Sequence, residues 1–275
     1  MSTHAVFRTG TALAWYEVKV LVFSRWLVGF TVLFAVLASG LVVVDGSIPV
    51  DASGLNRFTA TYGNLVVVLA SLFSICMASL SFAGDRADGQ EALLRSSGVS
   101  RNVYLTGKYI GLSLTVIFAL SIGTGISLFF GSFEKIGLMI IPLLLNGVVL
   151  TLVGSAWGAV LGVWTGNRLS AIALALLVWF VAVFIWELGL WAIVPQLDNP
   201  VNLYVLALGS ALNPVEAVRL LSLFLRNQGG AFGAAFLYIQ EFFQTGAGIA
   251  VALGLILVHV GVPLAVTRRL LRSLV

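Results

Sequence analysis

Six long apolar stretches place the strongest constraint on what this chain can fold into. Each has at least the roughly 20 residues that a helix needs to cross the hydrocarbon core of a bilayer. The stretches are uniformly apolar, without the alternation that a membrane barrel requires. The chain is therefore predicted to be an all-α, polytopic membrane protein with one transmembrane domain over 1–275. Its six predicted spans are 26–45, 62–83, 104–130, 137–164, 171–194 and 246–267.

Composition and charge support this prediction and orient the chain. Only 9% of the residues are charged and the mean hydropathy is +1.07, which leaves too little polar surface for a soluble domain. With both termini in the cytoplasm, eleven of the 15 Lys and Arg residues lie inside. This is the bias of the positive-inside rule. The net charge of +4 then reflects membrane topology, and no nucleic-acid surface is predicted.

A seventh apolar segment, 203–225, is long enough to be mistaken for a span. Asn213-Pro214 interrupts it, and Glu216 and Arg219 would lie near the bilayer centre. Each charge would cost roughly 2.5–3.5 kcal/mol there on insertion scales. We therefore exclude the segment as a span and keep the count at six.

The connection 195–245 is predicted to be an extracytoplasmic helical loop. Asn213, Pro214 and Glu216 have the order of an N-cap, a first-turn proline and an acidic third residue. They predict an amphipathic helix that ends at Arg226 and either rests at the outer surface or dips into the bilayer there, and a second helix is predicted near 231–241. Glu187 is placed near the outer interface, where its carboxylate reaches water. The predicted outer mouth of a solute path consists of Glu187, Asn213, Pro214, Glu216 and Arg219.

A polar island, 82–111, separates the second and third spans and is predicted to face the cytoplasm. Leu93 and Leu94 lie among charged residues on a short predicted helix. Exposed leucines in such a setting indicate a docking surface for a partner. The alternative is a solvated loop against lipid headgroups. The coupling segment is assigned to 85–101.

The N-terminal residues 11–25 mix Trp15 and Tyr16 with Glu17, Lys19 and Arg25. This composition suits a helix that lies in the membrane interface before the first span. The alternative is one long, tilted first helix.

Span four carries four glycines at every fourth position. They lie on one narrow helix face, which lets another backbone approach closely. The partner is either a helix of this chain or a second copy. These glycines are Gly154, Gly158, Gly162 and Gly166.

The sequence shows no catalytic motif and no metal site. Gly107-Lys108 lacks the earlier glycine and the following Ser or Thr of a phosphate-binding loop. Cys76 and Met77 have no ligand partners nearby in sequence and are assigned to packing. The chain is therefore predicted to be a non-enzymatic transport subunit that depends on a separate source of energy.

Several of these residues resemble the cytoplasmic loop of type-2 ABC export permeases. The order is an acidic and glycine-containing segment, a leucine pair, V-S-R and then G-K-x-x-G. The resemblance covers essentially the whole chain. The residues that carry it are Asp85, Gly89, Glu91, Leu93, Leu94, Val99, Ser100, Arg101, Gly107, Lys108 and Gly111.

The resemblance implies an assembly in the bacterial inner membrane. Two permease copies would form the path, and two copies of a separate ABC ATPase would bind ATP and Mg beneath them. No cofactor is implied in this chain. The residues implied in ATPase docking are Glu17, Asp85, Arg86, Glu91, Leu93, Leu94, Arg101 and Lys108.

Within the family, segments 24–40, 99–111 and 212–220 resemble permeases that support copper-centre maturation of nitrous oxide reductase. That narrower resemblance implies a periplasmic partner protein. The alternatives are a permease that exports a drug, a lipid or a polysaccharide, and a membrane scaffold that transports nothing.

Overall fold

The computed structural model describes residues 3–45, 57–130, 133–198, 201–225 and 240–273. The described chain is helical and has no strand, so the all-α prediction is confirmed. Within these ranges, six helical segments are long and apolar enough to cross a membrane, as predicted. The helices are α1 (Thr3–Val22), α2 (Arg25–Asp45), α3 (Arg57–Ala87), α4 (Gln90–Ser96), α5 (Arg101–Leu128), α6 (Phe133–Thr165), α7 (Arg168–Phe180), α8 (Trp186–Ile193), α9 (Val201–Leu212), α10 (Pro214–Leu225) and α11 (Gly246–Ser273).

The first two helices are separate, which excludes the single tilted helix. Ser24 ends α1 and begins α2, since its Oγ accepts a hydrogen bond from the Leu27 amide at 3.2 Å. Helix α1 exposes Trp15 and Tyr16 on one face and buries Ala14 and Glu17 on the other. The buried face packs against α5.

Two glycines of the G-K-x-x-G segment explain how closely α1 approaches α5. A Cβ on Gly107 would lie 2.9 Å from the Gly10 carbonyl oxygen. A Cβ on Gly111 would lie 2.7 Å from both the Ala14 carbonyl oxygen and the Glu17 Cβ. Any larger residue would separate the two helices.

The centre of the bundle is the packing of α3 against α6. The glycine face of α6 meets α3 within the same chain, so the structure selects the intramolecular alternative. A Cβ on Gly158 would lie 2.5 Å from the Ile75 carbonyl oxygen, and one on Gly162 would lie 2.9 Å from the Phe82 Cβ. Gly166 ends the helix in a left-handed conformation, with φ of 60°.

The fifth span is longer than predicted and is locally irregular. It runs from Arg168 to Gln196 through α7, a π-helical segment at Val181–Ile185, α8 and a last 3₁₀ turn. The Trp186 amide donates to the Val181 carbonyl oxygen, which is the five-residue spacing of a π-helix. Ala182 is the middle residue of this span.

Helices α9 and α10 form a sharp helical hairpin rather than a straight span. The chain direction changes by 113° between them, at Asn213. Helix α10 does not lie free at a surface, because Ala217, Val218 and Leu221 are buried against the bundle. The predicted amphipathic helix is thus present, and its apolar face packs against the bundle. Arg226 and most of the second predicted helix, 231–241, lie outside the described residues.

Candidate docking site and outer mouth

Helix α4 forms a short platform at the end of the bundle that also holds α1 and the last turns of α11. It lies between Gly89 and Gly98, whose φ angles of 71° and 88° only glycine adopts easily. Leu94 packs against the buried cluster that contains Phe82 and Tyr104. Leu93 is 70% exposed. The leucine pair therefore has two roles, because Leu94 anchors the helix and Leu93 is presented to solvent.

A buried ion-pair cluster lies in the same end of the bundle, in the layer beneath α4. The Lys108 side chain is 1% exposed, and its Nζ lies 2.8 Å from Glu17 Oε1 and 2.7 Å from Asp85 Oδ2. The Tyr104 hydroxyl donates to the same Asp85 oxygen at 2.8 Å. The three charged residues join α1, α3 and α5. We call Glu17, Asp85 and Lys108 the inner ion cluster.

The inner ion cluster has more acidic than basic groups. Burial raises the pKa of the Glu17 carboxyl above its ordinary value, and the Lys108 ammonium group only partly offsets this effect. The Asp85 charge raises the pKa of Glu17 further. A proton shared with Glu17 would leave one carboxylate and one ammonium group, a balanced pair in a poorly solvated site.

The other predicted docking residues lie around this cluster in different settings. Arg86 donates from Nη1 to the Val163 carbonyl oxygen and so caps the end of α6. Glu91 is buried. Arg101 begins α5 and is half-buried, next to the N-cap residue Ser100. Glu17, Glu91 and Lys108 therefore lie too deep to form a contact surface themselves, and of the leucine pair Leu93 is the more exposed.

The predicted outer-mouth residues come together at the hairpin. Arg219 donates from both terminal nitrogens to the two carboxylate oxygens of Glu187, each at 2.7 Å. Glu216 Oε2 lies farther away, at 3.6 Å from Arg219 Nη1. The bidentate pair fastens α10 to α8.

Asn213 is the structural centre of the hairpin. Its Oδ1 accepts from the Val215 amide at 2.9 Å, as the predicted N-cap requires. Its Nδ2 donates to the Ala182 carbonyl oxygen at 2.6 Å. Since Ala182 is the middle residue of span five, the hairpin tip reaches the middle of that span.

Glu187 lies in span five, nine positions before its Gln196 end and 19 positions, or about 28 Å at 1.5 Å per residue, beyond its Arg168 end. This distance is close to the roughly 30 Å thickness of the hydrocarbon core, and the location of Glu187 near the outer interface stays a prediction. The Arg219 guanidinium neutralises its carboxylate, and the Glu187 side chain stays 29% exposed. An ion pair within a membrane span is less costly than either charge alone.

Two further side-chain contacts hold the hairpin. The Trp186 indole N–H donates to the Gly209 carbonyl oxygen at 2.9 Å. His259 Nε2 of α11 lies 2.8 Å from the Ala211 carbonyl oxygen. Together with Asn213, these contacts hold the last turn of α9. Within the described part of the chain, no group of three or more metal-ligating side chains comes together.

The described helices thus form a membrane protein with six candidate spans, a short charged platform at one end and a helical hairpin packed against the bundle. The chain matches the family described as ABC-2 family transporter protein over residues 11–272. It therefore belongs to the ABC-2 transporter family.

Two relatives are similar over most of their length. The chain is 29% identical over 231 residues to the "Probable ABC transporter permease protein NosY" of Stutzerimonas stutzeri, covering 76% of this chain and 80% of that protein. It is 26% identical over 262 residues to the protein of the same name from Pseudomonas aeruginosa, covering 84% of this chain and 92% of that one.

Proposed function

We infer that this chain is the permease subunit of an ABC exporter and that a separate ATPase subunit drives it from the cytoplasm. The observation that carries this proposal is the setting of α4, which presents Leu93 to solvent while Leu94 is partly buried and Glu91 is buried. An exposed leucine on a held helix suits a protein contact better than a loop against lipid headgroups. Two such chains and two ATPase subunits would form the transporter.

The inner ion cluster explains how a push on α4 would reach the spans. Helix α4 connects the end of α3 to the start of α5, and Lys108 ties both to α1. Movement of α4 would therefore shift three helices together and would not bend one loop. In this mechanism the chain performs no chemistry. Nucleotide-driven closure of the ATPases rocks the spans and alternates access to the path.

The docking role is tested by Leu93→Ser in the co-expressed complex. We expect at least about tenfold less ATPase subunit to co-purify, because hot-spot truncations at interfaces cost 2 kcal/mol or more. The matched control is Leu169→Ser at the start of α7, since Leu169 is 79% exposed and lies outside α4. An intact complex with the Leu93 variant, or equal loss with both variants, would exclude docking at Leu93.

Orientation is tested by single cysteines in a Cys76→Ala background. Exposed Ser97 and Asn167 should react with an impermeant maleimide only after permeabilisation. Exposed Gln196 and Asp198 should react in intact cells. Labelling of the Ser97→Cys variant from outside would reverse the proposed orientation and remove α4 from reach of a cytoplasmic ATPase.

We further infer a NosY-like role, in which the transporter supports copper-centre maturation of nitrous oxide reductase and meets a periplasmic NosD-like protein. The two relatives support it by name. The hairpin and its Glu187–Arg219 pair would form the outer contact region. An exporter of a drug, lipid or polysaccharide is the alternative, and would leave maturation intact when the gene is deleted.

Substitution of Glu187 should impair the function of the outer mouth more than substitution of Glu216. Glu187→Gln removes a bidentate partner and leaves Arg219 poorly paired at membrane depth, whereas Glu216→Gln removes one contact of 3.6 Å. We expect Glu187→Gln to lower the copper content of nitrous oxide reductase several-fold in the host, with basal ATP hydrolysis retained. Glu216→Gln is the matched control. Equal effects of the two variants would contradict the role of the bidentate pair.

A further inference from the structure

Span five is attached to the rest of the molecule differently on the two sides of its π-helical segment. On one side, the Ser79 hydroxyl donates to the Ala171 carbonyl oxygen at 3.0 Å. The Trp179 indole N–H donates to the Ser71 hydroxyl, also at 3.0 Å, and both bonds fasten α7 to α3. On the other side, no residue of α8 is buried within the described part of the chain. The two halves of the span therefore have separate supports.

Helix α8 is instead joined to α9. The Trp186 indole N–H donates to the Gly209 carbonyl oxygen at 2.9 Å. A Cβ on Gly209 would lie 2.5 Å from Leu190 Cδ2, so the two helices are in close contact there. Among the described residues of α9, Ser210 alone is buried. Helices α8 and α9 thus form a peripheral pair, which we call the outer flap.

The outer flap is connected to the bundle at two points, and each of them interrupts a helix. The first is the π-helical segment Val181–Ile185, and the second is Asn213, where the chain turns by 113°. Pro214 has no amide hydrogen with which to continue α9. Helices bend most sharply at π-helical turns and at prolines. Both connections therefore have the structure of a hinge.

The two hinges lie side by side. Asn213 Nδ2 donates to the Ala182 carbonyl oxygen at 2.6 Å. A body that is held at two adjacent points can rotate about them as one piece, whereas widely separated attachments would fix it. An apolar cavity of about 320 Å³ also borders both hinges, with Ala182, Trp186, Leu212 and Asn213 among its walls. This space accommodates small shifts at the base of the outer flap without compressing α6.

The bidentate Glu187–Arg219 pair holds the outer flap against α10. Helix α10 itself is fixed, because Val218 lies in the buried cluster that contains residues of α3 and α6. Both nitrogen–oxygen distances are 2.7 Å, and the side chains of Arg219 and Glu187 are 20% and 29% exposed. His259 contacts the Ala211 carbonyl oxygen close to the second hinge, so this contact stays near the axis of rotation. The ion pair is thus placed to oppose opening of the flap.

We propose that α8 and α9 rotate as one outer flap about these two hinges, and that the Glu187–Arg219 ion pair is the latch that keeps the flap closed. As the outer gate of a transport path, the flap rests on the proposed export function. Its motion does not, since the hinges and the latch lie within this chain and can be tested without an ATPase. Ala182 and Ile193 are about 16 Å apart along the span, so a bend of about 20° would move the far end of α8 by about 6 Å.

The motion is measured by double electron–electron resonance on pairs of spin-labelled cysteines in the Cys76→Ala chain, purified in lipid nanodiscs. Ile193 on α8 and Tyr204 on α9 are each paired with Ile141 on α6, since all three side chains are exposed. These pairs give the two flap distances. Exposed Leu177 on α7, also paired with Ile141, gives the reference distance on the near side of the first hinge. Each doubly labelled chain is diluted with unlabelled chain, so that distances between copies do not contribute.

With the latch intact, all three pairs should give one narrow distance distribution. Arg219→Gln removes the bidentate contact, and we expect both flap distances to broaden and to shift by about 4 Å or more. Glu187→Gln opens the same latch from the other side and should have the same effect. Glu216→Gln is the matched control, because it removes a contact of 3.6 Å to Arg219 and should leave the distributions narrow. The reference distance should not change in any variant, which also shows that the bundle is folded.

Unchanged flap distances in both latch variants, with the reference distance preserved, would overturn the proposal. So would a shift of the α8 distance without the α9 distance, because the two helices would then not move as one piece. An equal shift of the reference distance would place the bend before the π-helical segment and would also overturn it. Shifted flap distances in a chain whose Leu93 does not dock an ATPase would uphold the flap and count against the export function alone.

Discussion

Replacing Lys108 with Met should destabilise the protein by about 3–5 kcal/mol, the usual cost of breaking a buried ion pair from one side. Lys108 is 1% exposed and is within 2.8 Å of two carboxylates. Its loss leaves Glu17 and Asp85 facing each other without a cation. For a chain of this size we expect the midpoint of thermal unfolding to fall by about 6 °C or more.

The matched control is Lys19→Met, since Lys19 is an exposed cation on the same end of the bundle. Its loss should change the unfolding midpoint very little. A second variant separates charge imbalance from loss of packing. The neutral triple variant Lys108→Met, Glu17→Gln, Asp85→Asn should recover much of the stability, because well-packed neutral replacements of buried ion pairs are often tolerated. A Lys108→Met protein as stable as the Lys19→Met protein would show that the cluster does not hold α1.

The Glu17 pKa adds a pH test to the same prediction. Because burial raises this pKa in the folded protein, Glu17 favours folding below its ordinary pKa, and the contribution is lost as pH rises through the raised value. Glu17→Gln should therefore be tolerated, and its stability relative to the natural chain should improve as pH rises. The Lys108→Met defect should shrink in acid, where the unpaired carboxylates take up protons.

The transmembrane architecture was predictable because hydrocarbon imposes a simple rule on the sequence. A span must satisfy its backbone internally and present apolar side chains, so length and hydropathy locate it. The excluded seventh span also followed from local chemistry, since Asn213-Pro214 breaks a helix and Glu216 and Arg219 are costly at the membrane centre. Length and hydropathy could not predict where the tip of the α9–α10 hairpin lies. This tip lies beside Ala182, where the Asn213 side chain donates to the backbone carbonyl oxygen.

Only part of the candidate docking site could be predicted from the sequence, because its chemistry depends on contacts between distant segments. Glu17, Asp85 and Lys108 are close in space but far apart in sequence, and a buried ammonium group has no local pattern. The resemblance to a family marked these residues without distinguishing surface from interior. The sequence did not distinguish Leu93 from Leu94. Only the fold shows that Leu94 anchors the helix. The position of each residue along its helix could be predicted from the sequence, whereas the burial of its side chain could not.

The second large effect on stability is expected at the glycine face of α6, which packs against α3. Gly158→Val should destabilise the protein by about 3 kcal/mol, at the upper end of the cost of overpacking. A Cβ added at this position would lie 2.5 Å from the Ile75 carbonyl oxygen and 2.7 Å from the Ala78 Cβ. The backbone of α3 cannot move aside as a flexible side chain can. We expect the two helices to separate locally, with loss of yield and a lower midpoint of thermal unfolding.

Gly125 of α5 provides the control, because a Cβ there would meet nothing within 4 Å. In a helix interior, exchange of glycine for alanine gains about 0.5–1 kcal/mol from backbone entropy when space allows. Gly125→Ala should therefore stabilise the protein slightly, while Gly158→Ala should destabilise it, although both make the same chemical change. Opposite signs at the two positions would isolate the close contact as the cause. If both alanine variants gained stability, α3 and α6 would not approach as closely as the structure has them, and the glycine face would be free for a second copy of the chain.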